Sequence, residues 1–422
     1  VKVEHMFACE SETQKAAFIR DQGPEIRHIF RDMSHLAQAR AYDILAADEE
    51  LVPQVDLFLF GFVCKDKSKL NRNRGALTHC IQEEGQRTVS AKDAGGDEEA
   101  PNKRSESGAT FEYVKEYLMA NQPPFILGEN VPEIGNKKHT DAESDLDYVK
   151  RTLTEVGYDI TVNVYRAEEF GSLAIRPRLF IRGVLKRLQG AAKLEHCHIV
   201  MNEMRIPQID PTIIFGSGLR DLLEIDITTD WKTASNMKDP KFRDEHLEVY
   251  IAHEPRLDYP PNYLSIGGEP FQLACNQLEE RARELVAYCE LTEPWPTDAE
   301  IEFMDTNLSL RYLRGPSGAR RAWSTSCPCL AASSKIFVRA MVGGEKFWAL
   351  LPGVFLMRII GYPVSSEGGE VPSDNEADEM WSWEDKKLMT SLAGNAFSGF
   401  CVGPLLIGFL SAMYNSRFAT AQ

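Results

Sequence analysis

Apolar, strand-like runs alternate with helix-like segments over the first 185 residues of this chain, and this alternation limits the possible folds more than any other feature. Residues 3–8, 27–30 and 55–62 have the apolar character of strands, and residues 13–20 and 34–47 between them have the character of helices. Strand, helix, strand, helix is the order of a parallel sheet with helices on its faces. The sequence therefore predicts an α/β fold.

The third run, residues 55–61, is almost wholly apolar and ends in Gly61. Such a run is expected for a central strand that is covered on both faces. The alternation resumes with predicted helices at 110–120 and 144–156 and predicted strands at 125–127, 160–165 and 179–184. Residues 85–108 are polar and poor in large apolar side chains, so we predict a flexible insertion there.

The periodicity weakens between residues 190 and 345, where proline is frequent. Short strands are more plausible in this region than long helices. We therefore predict an α/β domain at residues 1–188, a smaller irregular domain at 189–345, and a return to the first domain at 346–422. The return is expected to contain helices at 355–360 and 404–414.

Charge and cysteine content exclude several classes of protein. The 422 residues include 47 Lys and Arg and 63 Asp and Glu, which gives a formal net charge of −16. This charge argues against a broadly basic coat for nucleic acid and against a polybasic membrane anchor. No apolar run reaches the roughly 18 residues that a membrane helix needs. Nine cysteines in so long a chain, without a signal-like start, indicate a reducing compartment.

Cys64 follows the predicted central strand, on the loop at its carboxyl end. Ligands of open α/β sheets bind at this end, so a nucleophile would be well placed there. The flanking Lys65 and Lys67 would favour the thiolate form. A small apolar cysteine that packs at the strand end is the alternative interpretation.

Charged groups also accompany two later strands. Glu129 lies in the sequence Gly-Glu-Asn-Val after the strand at 125–127, where a carboxylate beside apolar residues is a candidate proton donor. A helix cap or a loop salt bridge is the alternative. Arg176 and Arg178 are spaced i, i+2 at the start of a strand, which places them on one face. Two guanidiniums on one face suit an anion or a base edge, and a solvated surface pair is the alternative.

Taken in order, these features resemble the cytosine-5 DNA methyltransferase family. They are a loop cysteine, Gly-Glu-Asn-Val after the next strand, Arg-x-Arg before a later strand, and Ala-Gly-Asn-Ala-Phe at 393–397. The resemblance spans nearly the whole chain. It implies the Rossmann-like sheet of S-adenosylmethionine-dependent methyltransferases, a target-recognition domain at 189–345, and double-stranded DNA as the partner.

The resemblance also assigns residues to the cofactor. Glu10 would hold the ribose hydroxyls of S-adenosyl-L-methionine, and Asp32 would receive the adenine amino group. Asn395 and Ala396 would help to close the cofactor pocket, to which Phe62 is also assigned.

For the reaction, the resemblance implies that Cys64 adds to C6 of cytosine and that Glu129 protonates the ring nitrogen N3. Addition of the thiolate makes C5 nucleophilic enough to attack the methyl sulfonium. The target base would be flipped out of the duplex to reach the pocket. Arg176 and Arg178 would clamp the base and the loop. Four further residues are assigned to the substrate: Ser68, Asn71, Asn130 and Val131.

A local basic run lies in the predicted recognition domain. It consists of Arg311, Arg314, Arg320 and Arg321, with Arg339 beyond them. Such a run is a candidate surface for phosphates and base edges. A solvated basic loop is the alternative.

Several positions depart from the family pattern. Val63 and Lys65 replace the proline and the polar residue that usually flank the cysteine, Ala174 replaces a glutamine, and Phe355 stands where a glutamate is usual. The family's Phe-x-Gly-x-Gly loop, which holds the methionine part of the cofactor, is expected upstream of Glu10, so we expect this chain to be a fragment. Residues 215–218 imitate that loop but lie too late in the chain, and we interpret them as a turn.

Two short clusters hold the residue types of a zinc site. They are His196-Cys197-His198 and Cys327-Pro328-Cys329. Neither cluster has the ligand spacing of a structural zinc site. We therefore predict no metal.

Three functions fit the sequence. The first is methyl transfer to C5 of cytosine in DNA. The second is a catalytically silent, methyltransferase-like DNA-binding protein, which the departures at Val63, Lys65 and Ala174 favour. The third is methyl transfer to transfer RNA, although the Cys-Phe-Thr signature of that branch is absent from the sequence. The insertion after Cys64 suits a eukaryotic protein, so we expect a nuclear location, with a bacterial cytoplasm as the alternative.

Overall fold

The computed structural model describes residues 2–22, 25–62, 106–137, 143–188, 190–211, 263–276, 278, 280–297, 300–308, 321–362 and 383–419. The chain divides into two compact units. The first comprises Val1–Arg166, Pro177–Arg205 and Cys401–Gln422, and the second comprises Ala167–Arg176 and Ile206–Phe400. Of the region that we expected to return to the first domain, only the part from Cys401 onward belongs to the first unit.

The first unit contains a four-stranded sheet in the order β1 (Phe7–Cys9), β2 (His28–Phe30), β3 (Arg40–Asp43), β4 (Asp48–Leu51). The pair β1–β2 is parallel, and the other two pairs are antiparallel. Helix α1 (Thr13–Gln22) connects β1 to β2. Ala16 of α1 packs against Ile26 and Ile29, which covers one face of this sheet.

The prediction of a helix over residues 34–47 is wrong, because a short 3-10 helix (Met33–His35) and the β3–β4 hairpin occupy this stretch. Buried Asp43 explains the hairpin. Its Oδ1 accepts hydrogen bonds from the backbone N–H of Ile29 and of Leu45 at 2.9 and 3.0 Å. Its Oδ2 lies 2.9 Å from Nδ1 of His28. One carboxylate therefore ties the hairpin to β2 and closes its turn.

The second sheet of this unit has the order β5 (Leu57–Gly61), β6 (Phe125–Asn130), β8 (Pro177–Leu185), β7 (Tyr158–Arg166). Strands β5 and β6 are parallel, whereas β8 is antiparallel to both β6 and β7. The α/β class is confirmed, but the sheets are mixed rather than wholly parallel. Among the described residues β5 pairs with β6 alone.

Helices cover both faces of the second sheet. On one face, α2 (Glu106–Asn121) and α3 (Asp145–Val156) share a core with the aromatic side chains of β5. The ring of Tyr117 on α2 lies 4.3 Å from Phe58 and 6.1 Å from Phe7 of β1, so the two sheets share this core. Helix α4 (Gly190–Glu203) packs on β7 and β8.

The described part of the second unit has a three-stranded antiparallel sheet. Its order is β11 (Glu345–Leu350), β10 (Ile336–Val342), β9 (Ile301–Asp305). Its helices are α5 (Tyr263–Asn276), α6 (Glu280–Thr292), α7 (Gly353–Ile359) and α8 (Trp383–Asn395). The prediction that residues 190–345 favour short strands over helices is therefore wrong for α4, α5 and α6. Pro270 was one of the prolines that argued against a helix here. Helix α5 nevertheless accommodates this proline, after a break at Gly268, where φ is 72°.

The chain ends with helix α9 (Gly399–Ala419). Within the first unit, its Phe409 ring meets the ring of Phe125 at 5.7 Å, and Ser411 Oγ lies 2.8 Å from Nε2 of His196. None of the helices in the described ranges is by itself long and apolar enough to cross a membrane. The stretches Leu388–Asn395 and Gly399–Met413 meet that criterion only when they are taken together.

Candidate functional site

Two carboxylates lie at the ends of the neighbouring parallel strands β1 and β2. Glu10 follows Cys9, which pairs with Phe30, and Asp32 lies two residues beyond Phe30. The backbone N–H of Glu10 donates to the carbonyl of Phe30 at 3.0 Å, which holds the two strand ends together. The structure thus brings to one sheet edge the two residues that the resemblance assigned to the cofactor.

Local hydrogen bonds orient both carboxylates. Glu10 Oε1 accepts from the N–H of Glu12 at 2.8 Å, and Asp32 Oδ1 accepts from the N–H and the Oγ of Ser34 at 2.9 and 2.7 Å. Burial raises the pKa of Asp32, but the hydrogen bonds from Ser34 outweigh burial and hold that pKa below its usual value. Two oriented acceptors at one strand edge fit the hydroxyl and amino donors of an adenosine.

Cys9 lies beside this pair, and nothing in the sequence pointed to it. Burial raises the pKa of its thiol to about 12, and the charges of Asp32 and Glu10 add to the rise. We therefore expect Cys9 to react with iodoacetamide at pH 8 at least about 100-fold more slowly than an ordinary thiol, because only the thiolate reacts. Asp32→Asn should raise the rate, which peptide mass spectrometry can follow at Cys9. Fast alkylation of the unaltered protein would contradict this geometry.

The second group lies at the adjoining ends of β6 and β8. Glu129 Oε1 is 2.9 Å from Nε of Arg178, and the two side chains are only 12% and 11% exposed. In the sheet, Glu129 pairs with Gly61 on one side and with Phe180 on the other. The strands therefore present a carboxylate and a guanidinium as a fixed, nearly buried ion pair. The salt bridge that we left open as an alternative for Glu129 is formed, inside the sheet rather than on a loop.

Asn130 links this group to the end of β5. Its Nδ2 donates to the carbonyl of Phe62 at 3.1 Å, and its Oδ1 accepts from the N–H of Val131 at 2.8 Å. Asn130 is 2% exposed, so both hydrogen bonds are shielded from water. The side chain fixes the backbone two residues before Cys64.

Gly128, which precedes this pair, is required by packing. A Cβ atom there would lie 2.7 Å from the ring of Phe60, its register partner on β5, and 3.4 Å from Cβ of Ile181 on β8. Atoms do not approach that closely without displacement of a strand. The glycine in Gly-Glu-Asn-Val therefore lets the Phe60 ring pack across β6, beneath the polar residues that follow.

The assignments of the Phe62 and Val131 side chains to ligands are corrected by the structure. Phe62 is 6% exposed and packs in the core 5.3 Å from the ring of Phe111. Val131 is 7% exposed and belongs to the same core. Both side chains lie in the apolar core between the sheet and α2. Their backbone groups, which bind Asn130, are their contribution to the site.

Three other predicted site residues lie outside the described residues. They are the nucleophile candidate Cys64 and the substrate candidates Ser68 and Asn71. Their assignments stay predictions.

Arg176 and Arg178, which we expected on one strand face, belong to different units, and β8 begins only at Pro177. The Arg176 guanidinium is 1% exposed and donates to the carbonyls of Leu330, Gly394 and Ala396 at 3.1, 3.1 and 2.6 Å. A guanidinium held by three carbonyls is not available to a base. The predicted base clamp at Arg176 is therefore corrected to a structural role, in which it fixes the end of helix α8 from more than 200 residues away.

The end of helix α8 is packed tightly from a second side. A Cβ atom at Gly394 would lie 2.1 Å from backbone atoms of Ala331 and Ala332. We expect Gly394→Ala to destabilise the second unit by about 1–3 kcal/mol, because the backbone must move to admit the methyl group. Urea unfolding would measure the loss. Gly403→Ala on α9, where nothing lies within 4 Å, is the matched control and should be neutral or stabilising. Equal stabilities for both variants would contradict the close approach.

Asn395 is the last residue of helix α8, and Ala396 follows it. Asn395 is exposed, and its Nδ2 lies 3.4 Å from Oγ of Ser391. The backbone of Ala396 is engaged by Arg176. Their proposed part in a cofactor pocket stays a prediction.

The predicted basic surface is corrected where the structure describes it. Arg339 is fully buried, and it pairs with Glu302 at 2.7 Å and Glu290 at 3.1 Å. Arg321 is 47% exposed but pairs with Glu293 and Glu302. Carboxylates of the protein thus neutralise both guanidiniums, which leaves neither free for phosphates. The other three arginines of the run, Arg311, Arg314 and Arg320, lie outside the described residues.

Within the part of the chain that the structure describes, no group of three His, Cys, Asp or Glu side chains could hold a metal ion. His196 and His198 instead contact the hydroxyls of Ser411 and Tyr165. Cys327 is fully buried, and its backbone pairs with residues 173–175.

Comparison with solved structures finds full-length but loose likenesses. A crystal structure of S. pombe Dnmt2 methyltransferase is 14% identical, with 97% of this chain and 91% of that chain covered at a TM-score of 0.39. A Spodoptera frugiperda DNMT2 mutant is 12% identical, with 97% and 93% covered at 0.41. Scores this low carry no argument about function.

Sequence comparison is more specific. Residues 95–259 match the family model of the C-5 cytosine-specific DNA methylases, and this range includes Glu129, Asn130 and Arg178. A DNA (cytosine-5-)-methyltransferase DMT5 of Cryptococcus neoformans is 30% identical over 179 residues, which are 42% of this chain and 6% of that protein. The Type II methyltransferase M.Sau3AI of Staphylococcus aureus is 23% identical over 46% of this chain and 37% of its own length. The match thus spans well under half the length of either relative. Over the matched residues, the chain is therefore similar to the cytosine-5 DNA methyltransferases.

Proposed function

We propose that this chain transfers a methyl group from S-adenosyl-L-methionine to C5 of cytosine in double-stranded DNA. The observation that carries the proposal is the cluster of Glu129, Asn130 and Arg178 at the ends of β6 and β8, tied to the backbone that leads into Cys64. Similarity to the cytosine-5 DNA methyltransferases supports the reaction class and the methyl donor.

Glu129 is proposed to take up a proton from water on its carboxylate and to deliver that proton to N3 of the cytosine. A general acid needs a fixed position, since proton transfer requires hydrogen-bond distance to the accepting atom. The ion pair with Arg178 at 2.9 Å and the nearly complete burial of both side chains supply that rigidity. Arg178 therefore acts first as a positioning residue, and its guanidinium lies close enough to the carboxylate to meet the polar edge of the same base.

Cys64 is proposed as the nucleophile. Its thiolate would add to C6 while Glu129 protonates N3, and loss of the C5 proton after methyl transfer would expel the thiolate. Asn130 supports this role indirectly, because its hydrogen bond to the Phe62 carbonyl fixes the backbone two residues before Cys64 in the sequence.

Glu10 and Asp32 are proposed to hold the adenosine part of the methyl donor. When bound, S-adenosyl-L-methionine supplies an electrophilic methyl group. Asp32 is kept ionised by its hydrogen bonds from Ser34, so it is ready to accept a hydrogen bond from an amino group. Glu10, at the end of β1, would accept from the ribose hydroxyls.

Duplex DNA is the proposed substrate, with the target cytosine flipped out of the stack at a cost of a few kcal/mol. The family model that matches is that of DNA methylases, which supports DNA over RNA. The second unit is proposed to choose the target sequence. Because the chain carries a long polar stretch between Cys64 and Glu129, we also propose that it acts in a nucleus rather than in a bacterial cytoplasm.

An assay with methyl-labelled S-adenosyl-L-methionine tests the substrate. Duplex DNA, single-stranded DNA and transfer RNA are offered side by side, and nucleosides are identified by mass spectrometry. We expect 5-methylcytosine in the duplex. Label confined to transfer RNA would overturn the DNA assignment, and no label in any substrate would overturn the activity.

One observation favours a catalytically silent DNA-binding protein as a second candidate. Ala174, which replaces the family's glutamine, is fully buried and pairs through its backbone with Cys327, so it offers no side chain to a base. This candidate requires DNA binding, measured by gel shift, that Cys64→Ala leaves unchanged and that no turnover accompanies. Measurable turnover would exclude it.

A further inference from the structure

Strand β7 (Tyr158–Arg166) is an open edge of the second sheet. It pairs with β8 along all nine residues, and among the described residues nothing pairs with its other side. Strands β1 and β5 also pair on one side only, but both lie against the shared core through Phe7 and Phe58, whose rings are 6.2 Å apart. In the described part of the first unit, the outer edges are therefore β7 and β4.

These two outer edges differ in how they are protected. Strand β4 is four residues long, and three of them are acidic, which discourages pairing with another chain. The middle of β7, residues 160–165, has the sequence Ile-Thr-Val-Asn-Val-Tyr, without charge or proline. A long, uncharged edge strand is an efficient template for an added strand. β7 thus has the features of a strand that a partner covers.

A groove runs between β7 and helix α4. It has a volume of about 390 Å³ and is lined by Asp159, Ile160, Thr161, Asn163, Leu194, Glu195 and His198. Asp159 and Glu195 have no ion-pair partner within the described ranges. Arg182 donates a hydrogen bond to Asn163, but its side chain is fully buried. It therefore holds Asn163 in place and does not face the groove. His198 is engaged by Tyr165 and Asn202. The groove therefore presents two unpaired carboxylates beside an open strand edge.

We propose that β7 binds an extended segment of a partner protein that carries lysine or arginine at alternating positions. The backbone of the segment would extend the sheet by one strand, which gives affinity, and alternate side chains would enter the groove, which gives specificity. The segment is expected to be basic, because its cations would pair with the carboxylates of Asp159 and Glu195. Strand β8 separates β7 from β6, which carries Glu129, so binding at the outer edge of β7 does not require the methyltransferase reaction.

Two nine-residue fluorescent peptides test the proposal on the full chain. One alternates threonine with lysine, and the other alternates threonine with glutamate. We expect the lysine peptide to bind at least about tenfold more tightly in fluorescence anisotropy at low salt. Hydrogen exchange should slow in Tyr158–Arg166 when the lysine peptide is present.

Charge reversal supplies the matched variants. Asp159→Lys combined with Glu195→Lys should weaken the lysine peptide about tenfold or more and should make the glutamate peptide the better ligand, which also shows that the variant is folded. Glu49→Lys combined with Glu50→Lys makes the same change in charge on β4 and should leave the affinity unchanged.

Three results would overturn the proposal. They are no saturable binding up to about 1 mM peptide, an equal loss of affinity in the β4 variant, or exchange protection outside β7. Protection of β7 that depends only on protein concentration, without peptide, would identify a second copy of this chain as the occupant instead.

Discussion

Replacing Glu129 with glutamine is expected to lower kcat for DNA methylation by about 10²- to 10⁴-fold, the range that a general acid typically contributes. Glutamine keeps the shape of the side chain but cannot take up a proton and deliver it to N3. It also removes the charge that holds Arg178 at 2.9 Å, so part of the loss comes from a less fixed guanidinium. Single-turnover methylation of a cytosine-containing duplex, at saturating methyl donor, measures the chemical step.

Glu133→Gln is the matched control for that variant. Glu133 lies four residues further on, in the 3-10 helix Pro132–Gly135 that follows the same strand. The substitution removes the same charge without touching the ion pair, so kcat should stay within a few-fold of the original value. If both variants lost activity equally, the loss would come from the fold of this turn and the role of Glu129 as the acid would be contradicted.

Replacing Arg339 with methionine is expected to destabilise the second unit by about 3–5 kcal/mol, the usual consequence of removing one partner from a buried ion pair. Arg339 is fully buried on β10 and pairs with Glu290 and Glu302. Its guanidinium also lies 4.4 and 5.0 Å from the rings of Trp323 and Trp295, which adds cation–π attraction. Methionine has a similar length, so the expected loss is mainly of charge. Urea unfolding measures it.

The pH dependence of this variant separates charge from packing. Burial raises the pKa of Glu290, while Arg339 opposes that rise. Without Arg339 the carboxylate is costly when ionised, so the variant should regain stability as the pH falls towards the pKa of the folded form and lose it as the pH rises. Arg321→Met removes a 47% exposed partner of the same cluster and should cost less than about 1 kcal/mol. Equal losses in the two variants, or a loss at Arg339 that does not depend on pH, would contradict the ion-pair interpretation.

Local apolar pattern was enough to predict most of the first unit. The strands β5, β6, β7 and β8 and the helices α2 and α3 are found close to the predicted positions, because each buries an apolar run against the common core. A helix was predicted over residues 34–47, where the structure has a 3-10 helix and most of the β3–β4 hairpin. The structure of this hairpin depends on the hydrogen bonds that the Asp43 carboxylate accepts from the backbone N–H of Ile29 on β2 and of Leu45, which local periodicity does not contain.

The sequence predicted the part of the site that is formed by motifs on neighbouring strands. It did not predict contacts between residues that lie far apart in the chain. Glu129 and Arg178 lie on neighbouring strands, and the sheet brings them together as strand ends do in α/β folds. Arg176 could not be distinguished from Arg178 by spacing, because its partners Gly394 and Ala396 lie more than 200 residues away. Arg339 looked like part of a basic surface for the same reason, since its carboxylates come from α6 and β9.

The most direct test of the proposed reaction is a covalent trap at Cys64. The protein is incubated with S-adenosyl-L-methionine and duplex DNA that contains 5-fluorocytosine, in which fluorine at C5 prevents the elimination that would release the thiolate. We expect a denaturation-resistant protein–DNA adduct that needs the methyl donor, vanishes in Cys64→Ala, and persists in Cys9→Ala. No adduct with the unaltered protein, or an adduct that survives Cys64→Ala, would contradict the proposal that this chain methylates cytosine through Cys64.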